Sequence, residues 1–256
     1  MNDVGFVRNV KYFCGKEYVE MDLFEMADMR ERGRKMRGKK INLSSADQVR
    51  RNRNRAARTF LQKVHTNFTA NDIYLTLTYD PMHRPEDTKA AKRDFHNFIR
   101  RINRRRKKLS LQPVQYMGTI ERKGENYHFH MIISGGLDRD ELEGIWGKGL
   151  SNASRLRIHD QELMQKLCKY ILKEARDKEK YENTYICSRN LKNPVVKKND
   201  WAFSHKKLNE LAGMTDCREI WEAMYPKYEF IEAMSTYNDM TGWHVTVKMR
   251  KKEGSA

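Results

Sequence analysis

Tyr127-His128-Phe129-His130-Met131-Ile132-Ile133 decides how this chain is to be read. Its residue types predict a strand, and two histidines one residue apart on a strand point to the same face. Their Cα atoms then stand roughly 6.5–7 Å apart, a span that two imidazoles can close around one metal ion. Phe129 and the apolar run after it face the core, and Met131 to Ile133, apolar without alternation, predicts a central strand. Glu121 ends an earlier strand-like run, Gln115 to Ile120. Residues 122–126, with Lys123-Gly124-Glu125-Asn126 as turn chemistry, are expected as a hairpin loop that brings Glu121 beside His128 and His130. Chance supplies about 0.25 His-x-His pairs in a chain with 8 histidines in 256 residues, so the pair alone does not make a site.

Charge narrows the partner. Lys+Arg 51 against Asp+Glu 34 gives a formal charge of +17, which favours a polyanion, nucleic acid above all. No run of about 18 apolar residues and no signal peptide is visible, so a soluble, cytoplasmic protein without a membrane partner is expected. Cys14, Cys168, Cys187 and Cys217 form no C-x-x-C pair, which points away from a zinc module or a disulfide framework.

Three segments are expected: 1–72, a basic N-terminal extension with an arginine-rich helix; 73–189, the core; and 190–256, a C-terminal extension packed on it. The basic run from Arg30 to Lys40 suits either phosphate contact or a solvated loop. Ser44-Ser45-Ala46-Asp47 opens the arginine-rich helix as a capping box, with Val49, Ala57, Phe60, Leu61 and Val64 on its apolar stripe. Ile73 to Tyr79 reads as a strand stopped by Asp80-Pro81, and Thr88 to Lys108 as a helix. After the hairpin come a short helix from Asp138 to Trp146, a strand from Arg155 to Ile158, a helix from Asp160 to Lys178 and a strand from Thr184 to Ser188. Gly144 to Gly149 is glycine-rich, but its spacing is not that of a P-loop, and it reads as a loop into the next strand. The order predicts an α+β fold: a central antiparallel sheet with helices on one face, containing a ferredoxin-like pattern. Beyond Ser188, short helices are expected at 205–212 and 217–224, and strands at 228–233 and 243–249.

In the helix from Asp160, the buried stripe is expected at Leu163, Leu167, Ile171 and Leu172. Tyr170 and Lys173 lie three apart on another face, so they are surface neighbours. A tyrosine beside lysines near a metal site suits phosphoryl transfer, with the phenolate attacking phosphorus and lysine neutralising the growing charge. The plainer reading makes Tyr170 a boundary residue with its ring packed and its hydroxyl wet. Tyr181 and Tyr185 are the neighbouring alternatives.

Taken in order, three motifs resemble those of the HUH single-strand endonucleases, in particular rolling-circle replication initiators with a single catalytic tyrosine. Tyr74-Leu75-Thr76-Leu77-Thr78-Tyr79-Asp80 resembles the first motif, His128-Phe129-His130 the histidine signature, and Tyr170-Ile171-Leu172-Lys173 the Tyr-x-x-Lys motif. Glu121 stands where many members carry a third metal ligand. Ser188 to Pro194 also resembles phage-type initiators. The resemblance implies a ferredoxin-like HUH core at 73–189. It further implies a nickase and strand transferase using Mn²⁺ or Mg²⁺ on His128, His130 and Glu121. Tyr170 would form a 5′-phosphotyrosine link, assisted by Lys173. The implied partners are single-stranded DNA, as an origin hairpin, and a host helicase and polymerase in a bacterial cytoplasm. A relaxase or single-tyrosine transposase would use the same chemistry. A non-catalytic module that stacks single-stranded nucleic acid on sheet aromatics is the alternative from another class.

Overall fold

A computed structural model of the chain describes residues 5–26, 46–173, 185–239 and 241–252. The basic run at 30–40, Ser44, Ser45 and Tyr181 lie outside the described residues. Among those described, ten strands and six α-helices follow one another as β1 (Phe6–Cys14), β2 (Tyr18–Met26), α1 (Ala46–Asn67), β3 (Ile73–Thr78), α2 (Thr88–Lys108), β4 (Tyr116–Lys123), β5 (Asn126–Ile133), α3 (Arg139–Trp146), β6 (Ser151–Arg155), α4 (Gln161–Lys173), β7 (Ile186–Cys187), β8 (Val195–Asn199), α5 (His205–Ala212), α6 (Arg218–Met224), β9 (Tyr228–Asn238) and β10 (Gly242–Lys251). The fold is α+β, with two antiparallel five-stranded sheets.

The chain divides into two compact units, Arg53–Lys192 and a second that joins Met1–Asn52 to Asn193–Ala256. In the first, the strand order is β6-β3-β5-β4-β7. Its β3-α2-β4-β5-α3-β6 run is compatible with a ferredoxin-like core, and β5 is the central strand. Alternation along β3 sends Ile73, Leu75 and Leu77 to one face, where Phe129, Met131 and Ile133 of β5 join them. Helices α2 and α3 close that face with Phe95, Phe98, Ile102, Leu142 and Trp146, and Phe95 stacks on Phe129 at 5.5 Å between ring centroids. Each such aromatic, fully removed from water, contributes about 1.5–3 kcal/mol. Asp87 starts α2 by accepting the Ala90 amide at 2.7 Å, a side-chain cap for an otherwise orphaned donor.

The opposite face is not bare. Met117 and Ile132 are buried there beneath Phe60, Leu61 and Val64 of α1 and Met164, Cys168 and Ile171 of α4. Helices therefore cover both faces, where the element order suggested one. The buried stripe of α4 also differs from the expected one: Met164, Cys168 and Ile171 point in, Leu167 is partly buried and Leu163 is exposed. All of these are apolar, so composition cannot rank them, and the sheet beneath selects the phase. β6 begins four residues before the expected strand because Ser151-Asn152-Ala153, weak in strand propensity, pairs along the edge of β3.

In the second unit the order is β8-β1-β2-β10-β9, so strands from both ends of the described chain share one sheet. The sequence reading treats those ends as separate extensions and sees no long strands before residue 30. One face packs Val7, Val19, Met21, Leu23, Val245, Val247 and Met249 against Leu208, Leu211 and Trp221 of α5 and α6. On the other, Tyr18 donates to Glu20 at 2.8 Å and Thr246 donates to Asp22 at 2.8 Å, giving two buried carboxylates hydrogen-bond partners.

Candidate active site

Strand register lays the second face of the first unit's sheet out in three cross-strand rows. Tyr74, Ile132 and Met117 form one, Thr76, His130 and Thr119 the next, and Thr78, His128 and Glu121 the last. The first row is the part covered by α1 and α4. His130 and Thr119 in the second are buried, whereas the third row is half-exposed. The face thus grades from an apolar floor to an open polar edge within five residues of strand.

The hairpin sets this register. β4 and β5 meet in a two-residue turn at Gly124-Glu125, tighter than the expected loop, with Gly124 at φ +62° in the first central position. Glu121 consequently lies inside β4, directly opposite His128. Its carboxylate reaches diagonally, however, and Glu121 Oε2 sits 2.9 Å from His130 Nε2. The two imidazoles stack at 6.3 Å between centroids.

Hydroxyls of β3 hold the far side of both rings. Thr78 Oγ1 is 3.1 Å from His128 Nδ1, and the Tyr74 hydroxyl and Thr76 Oγ1 are 3.2 and 3.4 Å from His130 Nδ1. A hydroxyl that accepts the Nδ1 proton leaves Nε2 with its lone pair, the tautomer a metal ligand needs. Burial pushes the His128 imidazole below its ordinary range; Glu121 opposes that, while His130 and Lys123 add to it. The ring is therefore neutral at pH 7. Burial also raises the Tyr74 hydroxyl, with the nearby Tyr170 and Glu121 acting in the same sense against a hydrogen bond from Thr76. Tyr74 is thus a neutral hydrogen-bonding group here.

Two imidazoles and one carboxylate suit a hard or borderline divalent ion, and their chemistry fits Mn²⁺ or Mg²⁺. The three are not drawn around a common point: among the described residues no group of three or more His, Cys, Asp and Glu side chains is gathered for an ion. The pairing of Glu121 with His130 and of His128 with Thr78 accounts for that spacing.

Tyr170 comes to this face from α4. With Met164, Cys168 and Ile171 seated on the sheet, Tyr170 falls at the helix boundary, and its ring meets His130 edge-on at 5.3 Å between centroids. It is 45 % exposed, so the ring is half packed and accessible. Lys173 closes α4, and its side chain lies outside what the structure describes. The alternatives differ from Tyr170 in setting. Tyr185 packs edge-on against Phe60 at 5.2 Å, and Tyr79 is buried with its hydroxyl 3.2 Å from Asp94. Burial pushes both phenols up.

Four residues of the face escape the sequence reading as site members: Tyr74, Thr76, Thr78 and Thr119. The alternation of Tyr74, Thr76 and Thr78 with Ile73, Leu75 and Leu77 is the signal that could have found three of them. Thr119 carries no such signal; its Oγ1, opposite His130, is fully buried and has no hydrogen-bond partner. The glycine-rich stretch docks on the end of β3, where Thr78 and Asp80 amides donate to the Leu150 and Lys148 carbonyls at 2.9 Å each.

Residues 72–175 match the family model described as replication-associated protein ORF2. The matched span runs from the residue before β3 past the end of α4 and includes Glu121, His128, His130, Tyr170 and Lys173. No curated protein and no solved structure gives a significant match. No helix among the described residues is long and apolar enough to cross a membrane.

Proposed function

We propose that this chain initiates replication by nicking and rejoining single-stranded DNA through a covalent link to Tyr170. The observation that carries the reading is the meeting of Tyr170 with His130 on the face that also holds His128 and Glu121. The replication-associated family match supports the biological role and favours replication over transfer or transposition.

In the proposed reaction the Tyr170 hydroxyl loses its proton and attacks a phosphodiester phosphorus. The Oη–P bond forms, the bond from phosphorus to the 3′ oxygen breaks, and that oxygen takes up a proton to leave a free 3′-hydroxyl and a 5′-phosphotyrosine. Reversal by a 3′-hydroxyl rejoins the strand, and the number of phosphate ester bonds is unchanged throughout. A divalent ion, Mn²⁺ or Mg²⁺, on Nε2 of His128 and His130 and on Glu121 would polarise the phosphate. The β3 hydroxyls orient both imidazoles. Lys173 is assigned neutralisation of phosphoryl charge on its spacing from Tyr170 alone. A host helicase and polymerase are the implied partners.

The test is a nicking assay on labelled single-stranded DNA, an origin hairpin or a random pool, with Mn²⁺, with chelator and with Tyr170→Phe. Metal-dependent transfer of label to protein that Tyr170→Phe abolishes is expected. Equal transfer by Tyr170→Phe would overturn the nucleophile. Binding that persists in chelator, with nothing cut or linked, would make the chain a non-catalytic nucleic-acid-binding module.

A further inference from the structure

The second unit carries an aromatic side chain that its own core does not use. Trp201, just beyond edge strand β8, is 93 % exposed. Trp146 and Trp221 are fully buried, and Trp243 packs on Tyr237 at 5.1 Å between centroids. An indole is costly to leave in water, and tryptophan is on average among the more buried residues. Among the described residues, no ring or cation contacts the Trp201 indole.

Its backbone is held on both sides. The Trp201 amide donates to Asn199 Oδ1 at 2.8 Å, and Asp200 accepts a two-point pair from Arg8 of β1 at 2.7 and 2.8 Å. The charge around it is one-sided. Lys197 and Lys198 precede the indole and Lys206 and Lys207 follow it, all four exposed. The one acidic residue between them, Asp200, is taken by Arg8, while Lys207 pairs with Glu210 at 3.2 Å. β8 pairs only with β1, and all five of its residues are exposed.

We infer that Trp201 is a stacking platform for an unpaired base of single-stranded DNA, with Lys197, Lys198 and Lys206 on the adjoining phosphates. A flat ring on an anchored backbone loses little freedom when a base settles on it, and flanking ammonium groups attract the phosphates. Stacking accepts any base, so the platform adds affinity without sequence preference. A single strand fits better than a duplex, because paired bases offer the indole no open face. The inference rests on the single-stranded DNA reading proposed above.

The experiment titrates the full chain into a labelled oligothymidylate of about twenty nucleotides, following anisotropy and indole emission together. Wild type is expected to bind with quenching of indole emission. Trp201→Ala should bind about five- to a hundredfold more weakly with an unchanged melting temperature, and Trp201→Phe should retain most of the affinity without the quench. Wild-type affinity in Trp201→Ala would overturn the platform and leave the DNA reading standing. No binding by wild type at low salt would overturn both. Equal weakening toward duplex DNA would rule out stacking on an unpaired base. A wild-type dimer in sedimentation that Trp201→Ala dissociates would give the indole to a second copy of the chain instead.

Discussion

At the scale of single residues, the site depends on hydroxyls as much as on imidazoles. Thr78 and the Tyr74–Thr76 pair fix the two rings from the β3 side, so Thr78→Val leaves the fold intact and frees the His128 ring. Loss of such an outer partner costs about ten- to a hundredfold in metal affinity or activity. The expected outcome is that loss in the nicking assay, with Thr78→Ser restoring most of it. Thr119 behaves in the opposite way. Its buried hydroxyl has no partner, so Thr119→Val, nearly isosteric, is expected to raise stability by about 1 kcal/mol in a denaturant titration. Gly118 lies between Met117 and Thr119 and faces Met131, and a Cβ there would overlap the His130 carbonyl oxygen and Met131 Cβ. Gly118→Ala is expected to destabilise by about 1–3 kcal/mol and to lower activity by displacing the backbone of His130.

At the scale of elements, legibility follows how much of an element's chemistry is local. α2 is legible to the residue, since Asp87 caps it and its apolar period is unbroken from Ala91 to Ile102. β5 is legible as a central strand because three consecutive apolar residues need burial on both sides. The hairpin is legible in kind, and with it the common face of His128, His130 and Glu121; the tightness of its turn is not. β6 and the phase of α4 are set by what they pack on, and β8 by pairing with β1 far away in sequence, so no local pattern marks them. The helix α6 adds a testable pH effect. Arg218, the Phe230 amide and Lys252 surround the Glu222 carboxylate and hold it down to about 2 from an ordinary 4.5. A carboxyl depressed on folding contributes stability above its unfolded value and loses it as pH falls toward the folded one. Thermal unfolding between pH 5 and about 2 should therefore fall less steeply in Glu222→Gln than in wild type.

At the scale of the whole molecule, charge and connectivity matter more than any one contact. An excess of +17 predicts DNA binding that weakens with salt. If about five phosphates of a single strand are neutralised, affinity should fall about a hundredfold between 50 and 200 mM salt, measured with the oligothymidylate. A flat salt response would separate the charge excess from the binding. The two hydrophobic clusters of Arg53–Lys192 contain no residue of the other unit, and the third cluster contains none of theirs. A fragment spanning 53–192 is therefore expected to melt cooperatively by itself. The sheet that joins β1 and β2 to β10 across that inserted unit has a consequence for how the chain is made on the ribosome. β2 must wait for β10, more than two hundred residues later, before its second edge is paired, whereas every strand of the sheet holding His128 and His130 has already emerged by residue 187. Vectorial synthesis thus permits the histidine sheet to finish while the first two strands still expose an open edge. Ribosome-stalled chains of increasing length should acquire protease resistance in the inserted segment first.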